Sequence, residues 1–267
     1  MSAPRLDKRT IERRHERVLA RGLNQWPQED ARDRRQLARF GRWLSGLLNE
    51  AHLRHPFYPL LLPVDPSFSA RMAYYFALGD YEQADLQLLD EMIVPADRVM
   101  ECGAGAGVTG SFAAMRSGNA VVVVEPNRAM YETIHRTFAG NDQQVVLVEA
   151  AVVADSHEGP LELGIYDEYW WSSALAPGKA DRTISVATRT LSSLLAEHQP
   201  TVLVLDIEGG ECGLFPAAVP SCLRMIMVEI HTPDIGESAT VEVVNRIQQQ
   251  GFTLVRLLAN TWVFARN

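Results

Sequence analysis

The stretch VMECGAGAGVTG, residues 99–110, crowds glycines and one glutamate behind a short apolar run. A turn of this kind brings backbone close to a ligand, and two frames compete for it. From Gly105 the residues Gly-Ala-Gly-Val-Thr-Gly fit G-x-G-x-x-G, the dinucleotide pattern. From Glu101 they read E-x-G-x-G-x-G, an acid at a strand end followed by the alternate glycines Gly103, Gly105 and Gly107. The turn alone does not decide between them.

Outward from the turn, Val/Ile/Leu-rich runs alternate with helical stretches. RVMEC is followed by a helix over 108–116, AVVVVE by a helix over 127–138, and then comes QVVLVEAAVV. Later runs are TVLVLDIE, LRMIMVEI, a helix over 239–250, FTLVRLL and TWVFAR. Near-continuous apolar strands separated by helices indicate a parallel sheet covered on both faces. Only Ala259 and Asn260 separate the last two runs, which predicts an antiparallel hairpin closing the sheet. The fold class is therefore α/β, a Rossmann-like and mostly parallel sheet with a terminal antiparallel hairpin, the arrangement of class I methyltransferases.

Upstream, the pattern is helical. Residues 8–23 carry a thin apolar stripe, and 29–53 a stronger one with Phe40, Trp43, Leu44, Leu47 and Leu48 at helical spacing. RHPFYPLLLPVDP, with four prolines, reads as a loop, and further helices are expected over 67–77 and 82–93. This predicts a helical N-terminal extension over 1–65 and a catalytic domain over 66–267. The chain has 267 residues and a net charge of −8. Residues 1–56 hold 13 Lys/Arg against 7 Asp/Glu, a net of +6, and the remainder 12 against 26, a net of −14. Because the basic residues interleave with acids and no nucleic-acid motif accompanies them, the expectation is a solvated or self-associating helix face, not nucleic-acid binding. The Phe40–Leu48 stripe must pack on the catalytic domain, on a second subunit or on both, so these helices are expected to cover the cleft or to form a homo-oligomer. No apolar run has the length of a membrane span, and the N-terminus lacks a secretory h-region. The three cysteines, Cys102, Cys212 and Cys222, have neither metal-like spacing nor the even count of a disulfide framework, which points to a reducing cytoplasm.

Four motifs carry the chemistry. In a doubly wound sheet, ligands sit above the carboxyl ends of the strands, near the point where strand order reverses. Glu101 beside a pyrophosphate would be repelled, whereas beside the ammonium of S-adenosylmethionine (SAM) it is favourable. Glu125 ends the next strand about 20 residues beyond the glycines, where an acid takes the hydroxyls of an adenosine ribose; Pro126 and Asn127 then begin a helix. In VLVLDIEGGECGLF, Asp206 and Glu208 alternate along a strand end and share a face, with Glu211 in the following turn. In IMVEIHT, Glu229 and His231 repeat the device at the next strand end. Carboxylates clustered there are costly unless they bind something. A divalent cation is a possible occupant, but no close-spaced ligand pattern accompanies them, and the sequence reading assigns no metal. YDEYWWSS, residues 166–173, places Trp170 and Trp171 between strands, either over the cleft or packed on the sheet. Cys102 has no base partner and reads as a buried apolar residue.

Taken together, E-C-G-A-G-A-G, V-V-E-P-N-R-A-M-Y, V-L-V-L-D-I-E-G-G-E and I-M-V-E-I-H resemble the FkbM family of SAM-dependent methyltransferases, from about Gly79 to the C-terminus. The resemblance implies that Glu101, Gly103, Gly105 and Gly107 line the methionine end, that Glu125 holds the ribose, and that Asp206 faces the methyl donor. It implies O-methylation of a hydroxyl on a sugar or a secondary metabolite, with S-adenosylhomocysteine as the product of the cofactor. N-methylation of an amide or amine, including one on a peptide, is the alternative. An NAD-dependent oxidoreductase is the alternative of another class. His231 is the expected general base, as a neutral imidazole, with Asp206, Glu208 and Glu229 around it.

Overall fold

The computed structural model describes residues 52–63, 76, 79–165, 180 and 182–266. Two compact units divide the chain, Met1–Gln83 and Ala84–Asn267. The helix expected over 8–23, most of those over 29–53 and 67–77, and the aromatic stretch 166–173 lie outside the described residues, and with them the Phe40–Leu48 stripe. No helix among the described residues is long and apolar enough to cross a membrane.

In the first unit, His52–Arg54 pairs antiparallel with Leu61–Pro63. This corrects two expectations, a helix running to residue 53 and a loop through RHPFYPLLLPVDP. The physical reason is burial: Leu53, Leu60 and Leu62 are enclosed, so the apolar residues between the prolines form a strand. Pro56 and Pro59 fall in the turn and Pro63 ends the second strand, where no ladder N–H is needed. His55 closes the turn, its Nδ1 accepting the N–H groups of Phe57 and Tyr58 at 3.2 Å each. Burial lowers its pKa to about 4.

Helix α1 (Gln83–Met92) leads into the second unit. A seven-stranded sheet forms there from β1 (Val99–Cys102), β2 (Val121–Val124), β3 (Val145–Val148), β4 (Val202–Leu205), β5 (Met225–Glu229), β6 (Thr253–Leu258) and β7 (Thr261–Ala265). Its order is β6-β7-β5-β4-β1-β2-β3. The pairs β5/β4, β4/β1, β1/β2 and β2/β3 are parallel, and β5/β7 and β6/β7 are antiparallel. The terminal hairpin is thus as the sequence predicts. The unit also holds helices α2 (Val108–Ser117), α3 (Tyr131–Gly140), α4 (Leu191–His198) and α5 (Glu237–Gln249). All four residues of β1 and all four of β4 are buried, as central parallel strands require. Met100, Leu203, Ile226 and Phe264 pack with Leu194 of α4 and Ile247 of α5 in one apolar cluster.

QVVLVEAAVV does not form one strand. After β3, the chain leaves the sheet at Ala150, and Ala151–Val153 pairs parallel with Thr188–Thr190. A second hairpin, Leu161–Ile165 with Arg182–Val186, has no counterpart in the sequence reading.

At the N-terminal edge of the sheet, Asp97 ties three segments together. It accepts from Val94 N–H at 2.9 Å, Thr201 Oγ1 at 2.8 Å and Arg224 Nε at 2.8 Å, and pairs with Arg224 Nη2. Burial would raise its pKa, but Arg224, the Val94 N–H and Thr201 outweigh that and hold it below the usual value. The opposite edge carries the acids left for chemistry.

Candidate active site

Strand order reverses between β1 and β4, so the turn after β1 and the turn after β4 flank the switch point of the sheet. They touch. Gly103 (φ 81°) donates its N–H to Val124 O at 3.0 Å, and a Cβ there would lie 1.6 Å from the Asp206 carbonyl oxygen. Gly105 and Gly107 also have positive φ, 49° and 73°, and Gly107 caps α2.

The third glycine of the dinucleotide frame, Gly110, lies inside α2, and a Cβ there would lie 2.2 Å from Glu101 Oε2. Glu101 is therefore buried beneath the helix, 2% exposed, rather than standing at the lip of the cleft. Its Oε2 is buried without a hydrogen-bond partner. Burial and the neighbouring Glu125 raise its pKa well above the usual value, against the pull of the Gly110 N–H.

Glu125 follows β2. Its Oε1 accepts the Asn127 N–H at 2.7 Å, and its Oε2 accepts the Ala104 N–H at 3.1 Å. Burial raises its pKa to about 7, opposed by the N–H groups of Asn127, Ala104 and Gly105. A carboxylate offers about four acceptor positions, so one remains for a ligand beyond these three N–H groups. Asn127 Oδ1 in turn accepts the Ala129 N–H at 3.1 Å and starts the short helical turn Arg128–Met130. Pro126, Asn127, Arg128 and Tyr131 line an open cavity of about 530 Å³, together with Glu149, Arg182 and residues 184–187. Burial, Glu149 and Glu125 push the Tyr131 hydroxyl up to about 12. Sequence reasoning did not single out Glu149, although it directly follows β3 just as Glu125 follows β2.

The second half of the site gathers around His231. Strand β4 ends at Leu205, so Asp206 and Glu208 lie in the following turn instead of alternating along a strand, with Glu208 at φ 52°. The turn nevertheless delivers both to one place. His231 Nε2 lies 3.3 Å from Glu208 Oε2, 3.7 Å from Glu229 Oε1 and 3.8 Å from Asp206 Oδ1. His231 Nδ1 lies 3.0 Å from Glu211 Oε1. Glu229 also receives the Asn260 amide from the β6–β7 turn, a partner the sequence did not suggest. Burial alone would lower the His231 pKa, but the Glu211 hydrogen bond and the charges of Glu208, Glu211 and Glu229 raise it to about 9. Burial raises Glu208 to about 7, against the pull of His231, and raises Glu229 as well. The ring is an imidazolium at neutral pH, in contrast to the neutral imidazole expected from the sequence; the reason is the number of carboxylates that converge on it. Oxygens of Asp206 and Glu229 and a ring nitrogen of His231 all lie within 4.8 Å of one another, a spacing a cation could bridge. Cys102 is fully buried, and burial raises its thiol pKa, which makes it inert.

These features suit SAM. The tight glycine turn admits close backbone approach, and Glu125 has acceptor capacity to spare. The methyltransferase FkbM domain model matches residues 101–254, more than half of the chain and the span holding every one of these acids. No curated protein matches the chain. Among solved structures, the chain is similar to a Pyrococcus abyssi tRNA (uracil-54, C5)-methyltransferase in complex with S-adenosyl-L-homocysteine, at 11% identity and TM-score 0.42, over 81% of this chain and 44% of that one. It thus spans less than half of that enzyme. It is also similar to a Geobacter metallireducens precorrin-6y C5,15-methyltransferase, at 13% identity and TM-score 0.42, over 71% of this chain and 89% of that one. A ribosomal protein L11 methylase from Lactobacillus delbrueckii subsp. bulgaricus matches at 11% identity and TM-score 0.42, over 70% and 78%. The matched domain decides between the two frames of the glycine turn: the chain belongs to the FkbM methyltransferase family and is a SAM-dependent methyltransferase.

Proposed function

We propose that the chain methylates a hydroxyl group of a small molecule, a sugar or a secondary metabolite. The observation that carries this reading is the convergence of Asp206, Glu208, Glu229 and His231 beside the glycine turn. A hydroxyl must lose its proton as it is alkylated, and a group with pKa near 7 is matched to that task. Glu208, raised to about 7 and 3.3 Å from His231 Nε2, is such a group.

When bound, SAM supplies an electrophilic sulfonium methyl. The residues that would hold it are Gly103, Gly105 and Gly107 at the methionine end, Glu125 at the ribose, and Pro126 and Asn127 at the cavity wall; Glu101, expected from the sequence to join them, lies beneath α2 and acts at most through the turn above it. Asp206, whose backbone abuts Gly103, faces the methyl donor and orients the acceptor. The Glu208–His231 pair accepts the hydroxyl proton, the imidazolium charge stabilising the carboxylate until it does so. Glu229 adds a second carboxylate beside the same Nε2, at 3.7 Å. The chain's main contribution is alignment of the acceptor oxygen.

N-methylation of an amine or amide is the second reading, favoured by the excess of carboxylates over His231, which suits a cationic acceptor. Incubation with methyl-labelled SAM and a deproteinised small-molecule extract tests both. A labelled methyl ether supports the first reading. A labelled N-methyl product transfers the assignment to the second, and no labelled product from a chain that binds SAM overturns both.

A further inference from the structure

Glu211 is fully buried, at 0% exposure, in the turn Glu208–Gly213. Enclosing a carboxylate is costly unless specific partners compensate. Its Oε1 accepts the Gly209 N–H at 3.1 Å and lies 3.0 Å from His231 Nδ1, while its Oε2 has no hydrogen-bond partner. An oxygen already accepting an N–H faces the ring as an acceptor, so the hydrogen between it and the ring sits on Nδ1. The backbone makes the contact possible: Glu208 and Gly209 both have positive φ, 52° and 94°, which folds the turn back under the ring.

We propose that Glu211 is a positioning residue for methyl transfer: through its bond to Nδ1 it fixes the His231 ring so that Nε2 faces Glu208, Asp206 and Glu229. This rests on the reading of the Glu208–His231 pair as the proton acceptor. Without the bond, a half-turn of the ring would present Nδ1 to the cleft and leave Glu208 without its partner. The groups facing the ring are Glu211, Glu208, Asp206 and Glu229; Asp234 lies near Glu208, and Asp85 and Asn260 near Glu229. An orienting carboxylate of this kind sets the tautomer of a histidine and the direction of its reactive nitrogen.

The test is nitrogen-15 NMR of His231 in the full chain with SAM, together with Glu211→Gln. In the wild type above the ring's titration, Nδ1 should carry the proton and Nε2 the lone pair; the opposite tautomer overturns the proposal without any variant. Glu211→Gln preserves shape and the Gly209 bond. It should lower the ring's apparent pKa by at least one unit, mix the tautomers, and reduce turnover of labelled SAM with the extract by about 10²–10⁴-fold. SAM affinity should stay within a few-fold. An unchanged ring titration, or turnover lost only in proportion to SAM binding and melting temperature, makes Glu211 structural. If Glu211→Gln does not fold, Glu211→Asp serves in its place: it should retain the Nδ1–H tautomer and most of the turnover. Mixed tautomers in Glu211→Asp with full turnover would overturn the role. Should His231→Ala keep full turnover, the proton-acceptor reading fails, and the NMR result still decides whether Glu211 orients the ring.

Discussion

Replacing Gly103 with alanine would place a methyl group 1.6 Å from the Asp206 carbonyl oxygen, at a φ of 81° that side chains rarely adopt. Gly103→Ala should therefore lose roughly 3 kcal/mol or more of stability, together with SAM affinity. Urea melts and calorimetry measure the two, and wild-type values in both would show that the two turns can separate freely. Glu125→Ala should weaken SAM binding by about 1.5–3 kcal/mol, the scale of hydrogen bonds to a charged group. The pH dependence has a definite sign. With a folded pKa of about 7, Glu125 is protonated below neutrality and loses acceptor capacity, so SAM affinity should rise about tenfold between pH 6 and pH 8. Glu101 and Tyr131 are its titratable neighbours. Glu125→Gln should flatten that profile; a profile unchanged by the substitution would place the titrating group elsewhere. His231→Ala should reduce turnover by roughly 10²–10⁴-fold with SAM affinity within a few-fold.

Among the elements, the stability of the sheet at the edge away from the site leans on Asp97, which joins the entry to β1, Thr201 before β4 and Arg224 before β5. Asp97→Ala strips a partly exposed Arg224 of its partner and should cost about 3 kcal/mol, near the low end for a buried pair. A lower urea midpoint with an unchanged slope is the expected signature; a midpoint within error of wild type would mean solvent replaces the pair. Because the Asp97 pKa is depressed, its contribution is present above the unfolded value of about 4 and disappears only as pH falls below that. At the other edge of the elements, the runs around β1, β2, β4 and β5 were legible because continuous Val/Ile/Leu character marks buried parallel strands. The split of QVVLVEAAVV was not, since Ala151–Val153 takes its partner from Thr188–Thr190, some forty residues away. The strand Leu61–Pro63 was hidden for a related reason: local proline content outweighed a burial that only the folded unit supplies.

For the molecule as a whole, Glu101, Glu125, Glu208 and Glu229 are all shifted upward, and so is His231. A raised folded pKa contributes stability that is complete below the unfolded value and is lost as pH rises through the folded one. Glu125 and Glu208 lose theirs progressively between the unfolded value and about pH 7, and His231 between its unfolded value and about pH 9. The ligand-free chain should therefore melt roughly 5–10 °C lower at pH 8.5 than at pH 5.5, whereas a protein without such a cluster would be nearly flat across that range. Scanning calorimetry decides it, and a rising melting temperature would show that these acids are solvated. SAM and S-adenosylhomocysteine at about 100 times their Kd should raise the melting temperature by several degrees, corresponding to ~2.7 kcal/mol. NAD should not; an NAD shift equal to that of SAM would reopen the G-x-G-x-x-G frame.

The sequence by itself determined the kind of sheet, its closing hairpin, the glycine turn and the acids at four strand ends. Those are local properties, set by apolar periodicity, glycine φ and the one-residue resolution of a strand end. Which of the acids meet was decided only by tertiary structure. Glu101 goes under α2 because Gly110 leaves room for it, and Glu211 goes fully under the His231 ring because the turn at Glu208 and Gly209 folds back. The charge state of His231 belongs to the same level: residues 206, 208, 211 and 229 come from two strand ends, and only their convergence on one ring turns an imidazole into an imidazolium.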